Sequence, residues 1–235
     1  WATAGNPSWT LYEAVVSTLN TTPDGSADEV KATTTDPSGA ALAGLPANAP
    51  HYLFVRAVNL NGVPSDWAAL GATATRIETP VTVYFPSLSS TSLVATASSP
   101  GGAFSNVSTG AAGVGIWVDA SFMGFVEASS SAFVAGLTPN TSYSFKARAR
   151  NVAGVVTDDS TSVSTYTLAA VPSTATPSFT AVGPSSVSLL WTHNGNPAPT
   201  EYVVNASTAG DWTGAADSTS AWFTGTSTSV VALAV

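Results

Sequence analysis

The side chains of this sequence that could do acid–base or metal chemistry are few and scattered. His51 and His193 are the two histidines, and cysteine is absent. Catalysis or metal ligation needs several groups converging on one point. His51, without partners in its neighbourhood, reads as structural, and His193, in a loop beside Gly195, reads as solvated. Asp24, Asp28 and Glu29 crowd the loop Thr22–Glu29. Such a loop could offer oxygens to a hard cation such as calcium, but the spacing is not that of an EF-hand. A solvated hairpin loop is the preferred reading. Asp158 and Asp159 are adjacent, so on a strand they point to opposite faces and cannot act as paired carboxylates. No phosphate loop, zinc spacing or Gly-X-Ser-X-Gly elbow is present. No catalytic residue, metal ligand or cofactor is expected.

Other side chains suit recognition. Lys146, Arg148 and Arg150 alternate along one run and are half of the six basic residues. They form a ladder that could meet an acidic face of a neighbouring subunit. The plainer alternative is a solvated strand face that deters edge pairing. Tyr52 and Phe54 fall on the outward parity of a strand with Val58, and Trp9 and Trp67 could join them in an exposed aromatic patch. Such a patch marks an interface or a sugar-stacking platform. A one-residue register slip would instead turn Tyr52 and Phe54 inward. Trp212 and Trp222 pose the same question later in the chain. Asn20, Asn106, Asn140 and Asn205 head Asn-X-Ser/Thr sequons, although chance alone supplies about three in a chain this rich in hydroxyls.

The composition limits what can position these groups. Charged residues are 9% and hydrophobic ones 44%, which sustains a packed core and argues against disorder. Ser and Thr together number 64 of 235, a surface that favours strands over helices. The net charge of −8 argues against nucleic acid, which needs a basic footprint. No apolar run approaches the ~18 residues of a membrane helix. A cysteine-free, Lys-poor, Thr/Ser/Ala-rich chain reads as an exported bacterial or archaeal protein, placed outside the cell or on its surface.

The strongest signal is internal repetition. Trp1, Gly5-Asn6-Pro7, Thr10, Tyr12 and Ser17-Thr18 recur as Trp191, Gly195-Asn196-Pro197, Thr200, Tyr202 and Ser207-Thr208, all at one spacing of 190 residues. Ala43-Gly44-Leu45 and Arg56-Ala57-Val58-Asn59 recur 92 residues later as Ala135-Gly136-Leu137 and Arg148-Ala149-Arg150-Asn151. Ser89–Val94 recurs 96 later as Ser185–Leu190. A fixed period of this size marks a tandem array. Within a unit the period is two: Tyr143, Phe145, Ala147 and Ala149 alternate with Ser144, Lys146, Arg148 and Arg150. That is a half-buried antiparallel strand. Breakers such as Pro23-Asp24-Gly25 and Gly195-Asn196-Pro197 separate the runs. The class is all-β.

The segment Leu137-Thr138-Pro139-Asn140-Thr141-Ser142-Tyr143-Ser144-Phe145, followed by Arg148-Ala149-Arg150-Asn151 and Gly154, resembles strands E to F of a fibronectin type III domain. The resemblance implies tandem immunoglobulin-like β-sandwiches with seven strands per complete unit. It makes Trp191 the strand B tryptophan, Tyr202 the strand C tyrosine and Tyr143 the tyrosine corner, with His51 in that corner in the first unit. It implies units at 1–79, 80–170 and 171–235. By the same measure the first lacks strands A and B and the last lacks F and G, so that flanking sequence or another chain is expected to complete them. In the middle unit Ala95 replaces the tryptophan and Phe104 is expected at the place of Tyr12 and Tyr202. Trp117, Phe122 or Phe125 are expected to refill that core.

This sandwich hosts unrelated roles. The expectation is a non-catalytic structural protein of a surface fibre, stalk or adhesin that associates with itself. The alternative is a carbohydrate-binding or spacer module of a secreted polysaccharide-degrading enzyme, with glycans as partner.

Overall fold

The structure, a computed structural model, describes residues 1–207, 210 and 218–231, and all its regular elements there are strands. In chain order they are β1 Leu11–Ser17, β2 Glu29–Thr34, β3 Pro50–Val58, β4 Ala68–Ala74, β5 Thr82–Leu88, β6 Ser92–Ser98, β7 Gly113–Val118 and β8 Ser121–Glu127. There follow β9 Ser131–Ala135, β10 Ser142–Arg150, β11 Val163–Tyr166, β12 Ser173–Val182, β13 Ser186–Thr192, β14 Asn205–Ala206, β15 Ser218–Thr219 and β16 Ser227–Val231. No helix among the described residues is long and apolar enough to cross a membrane.

The sheets repeat one plan. Strands β5–β11 make a three-stranded sheet, β5-β6-β9, and a four-stranded sheet, β11-β10-β7-β8. This is the two-sheet division of an immunoglobulin-like sandwich. The order β2-β1-β3-β4 earlier in the chain copies the four-stranded sheet, and β12-β13-β16 later copies the three-stranded one. The chain is thus built of tandem immunoglobulin-like β-sandwich sheets. It also divides into two compact units. One is Trp1–Tyr84 with Ala95–Ala132 and Ser144–Val163, and the other is Phe85–Val94 with Phe133–Tyr143 and Ser164–Val235.

The alternation read from sequence sets the faces. Phe145, Ala147 and Ala149 are fully buried while Lys146, Arg148 and Arg150 lie between core and solvent. Opposite them Ile116 and Val114 are equally buried, paired with Ala147 and Ala149. In the copy, Tyr12 and Ala14 pair with Ala57 and Val55. Two close approaches require glycine. A Cβ on Gly113 would sit 2.1 Å from the Val126 carbonyl oxygen, and one on Gly115 would sit 2.5 Å from the Phe122 ring.

The predicted aromatic centres are present, with corrections in the middle sandwich. Trp191 packs edge-on against Tyr202 at 5.9 Å and Phe223 at 5.6 Å, and Trp1 lies 5.8 Å from Tyr12. Phe104 does not take the place of Tyr12. Val114 does, because it pairs with Ala149 as Tyr12 pairs with Ala57. Phe104 is buried in the longer loop before β7. Trp117, Phe122 and Phe125 do not refill the core either. Trp117 pairs with outward-facing Lys146, and parity carries its ring to the outer face. Leu93, Ile116, Val134 and Phe145 are nearly inaccessible large side chains of strands β5–β11.

Candidate interaction site

Most residues with catalytic potential have structural partners, although His51 Nδ1 is buried with no hydrogen-bond partner among the described residues. His51 is 2% exposed, and its Nε2 lies 3.4 Å from the Pro46 carbonyl oxygen. In the matching corner, the Thr138 amide donates to the Tyr143 hydroxyl at 2.9 Å. Pro46 stands where Thr138 does and has no N–H to give, so the bond that the Tyr143 hydroxyl accepts has no equivalent at His51. His193 is half-buried rather than solvated, with Nδ1 2.9 Å from the Tyr202 hydroxyl. In the acidic loop, Glu29 accepts from the amides of Asp24 at 2.7 Å and Gly25 at 3.1 Å and pairs with Lys31 at 3.0 Å. Asp28 accepts from the hydroxyls of Ser17 and Ser26, and those hydrogen bonds hold its carboxyl below the usual value, Ser17's contribution being the larger. Among the described residues no three His, Cys, Asp or Glu side chains converge on a metal position.

The basic ladder has acidic and aromatic partners on its own sheet and in the loop before β11. Lys146 Nζ and Arg148 Nε donate to the two oxygens of Asp159 at 2.6 and 2.7 Å. Arg150 donates to Glu127 at 3.0 Å and to the Ala111 carbonyl at 2.9 Å. Beneath them, Lys146 and Arg148 lie 4.7 and 5.0 Å from the Trp117 ring and Arg150 lies 4.6 Å from Phe125. Each cation is paired with a carboxylate, Lys146 and Arg148 sharing Asp159, and lies over a ring face. The Arg148 hydrogen bond, and then that of Lys146, holds the Asp159 carboxyl below its usual range. The first four-stranded sheet solves the same problem with the groups exchanged. Arg56, which matches Arg148, pairs with Glu13 at 2.5 Å and stacks on Trp67 at 4.3 Å. Trp67 occupies the position of Asp159, and Glu13 opposes Arg56 where Gly115 opposes Arg148.

The expected aromatic patch is not one surface. Phe54 is buried at 8%, paired with buried Val15, and Tyr52 is half-buried. The outward parity holds, since Phe54 shares it with Arg56, but it does not leave Phe54 in solvent, and a bulge between Leu53 and Phe54 shifts the pairing with β4. Trp67 lies under Arg56. Trp9 is 62% exposed and faces a groove of about 710 Å³ with Leu60 and Val63. Trp222 is 66% exposed, and Trp212 lies outside the described residues.

The sequons divide by what their amides do. Asn20 and Asn205 are exposed. Asn106 Nδ2 donates to the Ala47 carbonyl at 2.9 Å, and Asn140 Nδ2 donates to Thr200 Oγ1 at 2.8 Å. The nitrogen that would carry a glycan is thereby engaged. These two belong to a set that sequence reading missed: asparagines joining successive sandwiches. Asn48, fully buried with φ +50°, donates to the carbonyls of Ser105 at 3.1 Å and Asn106 at 2.8 Å and accepts from the Val152 amide at 2.8 Å. Asn151 Nδ2 donates to the Thr75 carbonyl at 3.0 Å. Later in the chain, Asn196 grips the Ala170 backbone twice, both at 2.7 Å, and Asn194 donates to the Val171 carbonyl at 2.7 Å. The signal available in sequence was Asn48 recurring as Asn140 at the 92-residue spacing, since a non-glycine residue that repeats in a turn marks a left-handed position.

No protein-family model matches the chain, and no curated protein matches it. Among solved structures, the Yersinia enterocolitica family 28 exopolygalacturonase is similar over 41% of this chain and 21% of its own, at 17% identity and TM-score 0.32. The chicken CNTN1 FN1-FN3 domains are similar over 68% of this chain and 54% of theirs, at 21% identity and TM-score 0.31. The central fibronectin-III array of RIM-binding protein is similar over 77% and 67%, at 18% identity and TM-score 0.31.

Proposed function

We propose that the chain is a non-catalytic structural array of units 1–79, 80–170 and 171–235, serving as a spacer in an extracellular or cell-surface fibre, stalk or adhesin. The observation that carries this reading is the asparagine joint. Asn48 and Asn140, 92 residues apart, each extend a left-handed turn into the loops of the sandwich that follows. Side-chain amides satisfied in this way resist bending, because opening the joint strips several polar groups of their partners. Hydroxyl-rich faces with paired charges are also cheap to desolvate against another copy. Electron microscopy of the purified chain tests the assembly reading. Laterally or end-to-end associated particles are the expected result, and monodisperse single chains at all concentrations would remove self-association.

Trp9 and its groove favour a second reading, carbohydrate binding. An indole exposed beside amides of Asn59 and Asn61 is suited to a sugar face and its hydroxyls. Glycan-array binding lost on Trp9→Ala would support it, and no binding at millimolar sugar would remove it.

A further inference from the structure

The loops that receive an asparagine turn have a third copy in this chain. In the occupied copies, the turn 193–200 is closed by Asn196 N to His193 O at 3.1 Å and Thr200 N to Pro197 O at 3.0 Å. The loop 151–155 is closed by Asn151 Oδ1, which accepts the amides of Ala153 at 3.0 Å and Val155 at 2.8 Å. The turn 3–10 repeats the first pattern, with Asn6 N to Thr3 O and Thr10 N to Pro7 O both at 3.0 Å. Its left-handed pair, Ala4 at φ 52° and Gly5 at φ 84°, reproduces Asn194 at 52° and Gly195 at 83°. The loop 59–63 repeats the second, with Asn59 Oδ1 accepting the amides of Asn61 at 3.0 Å and Val63 at 2.9 Å.

The groups that do the docking are also repeated, but here they have no side-chain or docking partner among the described residues. Asn196 grips the backbone of Ala170, and Thr200 accepts from Asn140. Their counterparts Asn6 and Thr10 make no side-chain hydrogen bond among the described residues. Asn151 Nδ2 and the Val152 amide bond to Thr75 and Asn48. Their counterparts, Asn59 Nδ2 and the Leu60 amide, likewise have none. Thr10 is 9% exposed and lines the groove of about 710 Å³, at whose rim Leu60 is 86% exposed.

We infer that this groove is a preformed socket for the asparagine turn and following linker of another sandwich of the same kind. The occupant is the counterpart of Pro139-Asn140 with Ala170-Val171. Its asparagine donates to Thr10 Oγ1, and its linker backbone takes the Asn6 amide. The inference rests on the array reading above and gives that array a docking face.

A concatenated chain tests it: residues 1–190 joined directly to residues 1–235, so that the second Trp1 falls where Trp191 stood. With the second copy segmentally labelled, amide exchange at its Leu60 is compared with that in the single chain. The expected result is slowing of roughly tenfold or more. Thr10→Val in the second copy removes about fivefold of that protection, as loss of one hydrogen bond should, and Thr10→Ser restores it. Unchanged exchange at Leu60 overturns the socket. So does a soluble oligosaccharide that protects Leu60 in the single chain when concatenation does not. A second measurement needs no concatenation. In the single chain, Asn6→Ala with Thr10→Val leaves the unfolding midpoint where it was, whereas Asn196→Ala with Thr200→Val speeds exchange at Ala170 by about fivefold or more. Equal destabilisation by both pairs makes Asn6 and Thr10 merely structural and overturns the socket. No effect at Ala170 overturns the array reading instead.

Discussion

At the scale of single residues, hydrogen-bond inventory decides which side chains can be exchanged. Asn48 satisfies two carbonyls and one amide from a left-handed backbone position, where asparagine is tolerated better than most residues. Asn48→Ala strands all three partners and is expected to cost about 2–4 kcal/mol in urea unfolding. Asn48→Gly, which keeps the backbone freedom and loses the amide, is expected to recover only the smaller, conformational part. The corner at His51 makes a second prediction. Because Pro46 offers no N–H, a Tyr hydroxyl at position 51 can only donate, to a carbonyl that already accepts from Thr75 Oγ1 at 2.6 Å, and His51→Tyr is expected to destabilise by about 1–2 kcal/mol. Adding Pro46→Thr is expected to offset most of that loss, since it recreates the Thr138–Tyr143 pair. Chemical denaturation of the two single variants and the double variant reads the coupling.

At the scale of elements, the two four-stranded sheets hold an arginine over an aromatic ring and against a carboxylate by different assignments of residues to strands. In one, the acid is Glu13 on β1 and the ring is Trp67 before β4. In the other, the acid is Asp159 before β11 and the rings come from β7 and β8, with Gly115 leaving room for Phe122. Gly115→Ala is therefore expected to push Phe122 off its bed and weaken the β7–β8 pairing, at a cost of about 1–3 kcal/mol. Thermal unfolding checks it, and Phe122→Leu in the same chain is expected to relieve part of the loss. This arrangement was half legible. The basic ladder and its outward parity followed from alternation along 143–150. The rings beneath it did not, because Trp117 belongs to a short strand, Gly113–Val118, whose flanking glycines and buried hydrophobes hide a period of two.

At the scale of the whole molecule, a chain with few charges has few titrating contacts, so those it has are visible in its pH dependence. The Asp159 carboxyl is held below its ordinary 3.8 by Arg148 and then Lys146. A lowered folded value means that the pair's stabilisation is complete above the ordinary carboxylate range and is lost as pH falls through the lowered one. Stability is expected to be flat from neutral pH down to about pH 5 and to fall below that. Asp159→Asn is expected to lower the plateau and flatten the acid limb, which melting curves from neutral pH down to about pH 2 would show. An acid limb unchanged in the variant would assign the fall to Asp28 and the other carboxylates.

Sequence alone determined the strands, their faces and the tandem plan, because these depend on local alternation, on turn residues and on a repeat that is visible at separations of 92 and 190 residues. It also placed Tyr143 and Trp191 where packing uses them. Which outward residues stay in solvent was decided only in three dimensions. Phe54 is buried and Trp67 lies under Arg56, while Trp9 remains open. The asparagine joints likewise needed the tertiary structure. A side-chain amide has no periodicity, and its worth depends on carbonyls and amides that fold against it from as far as 104 residues away.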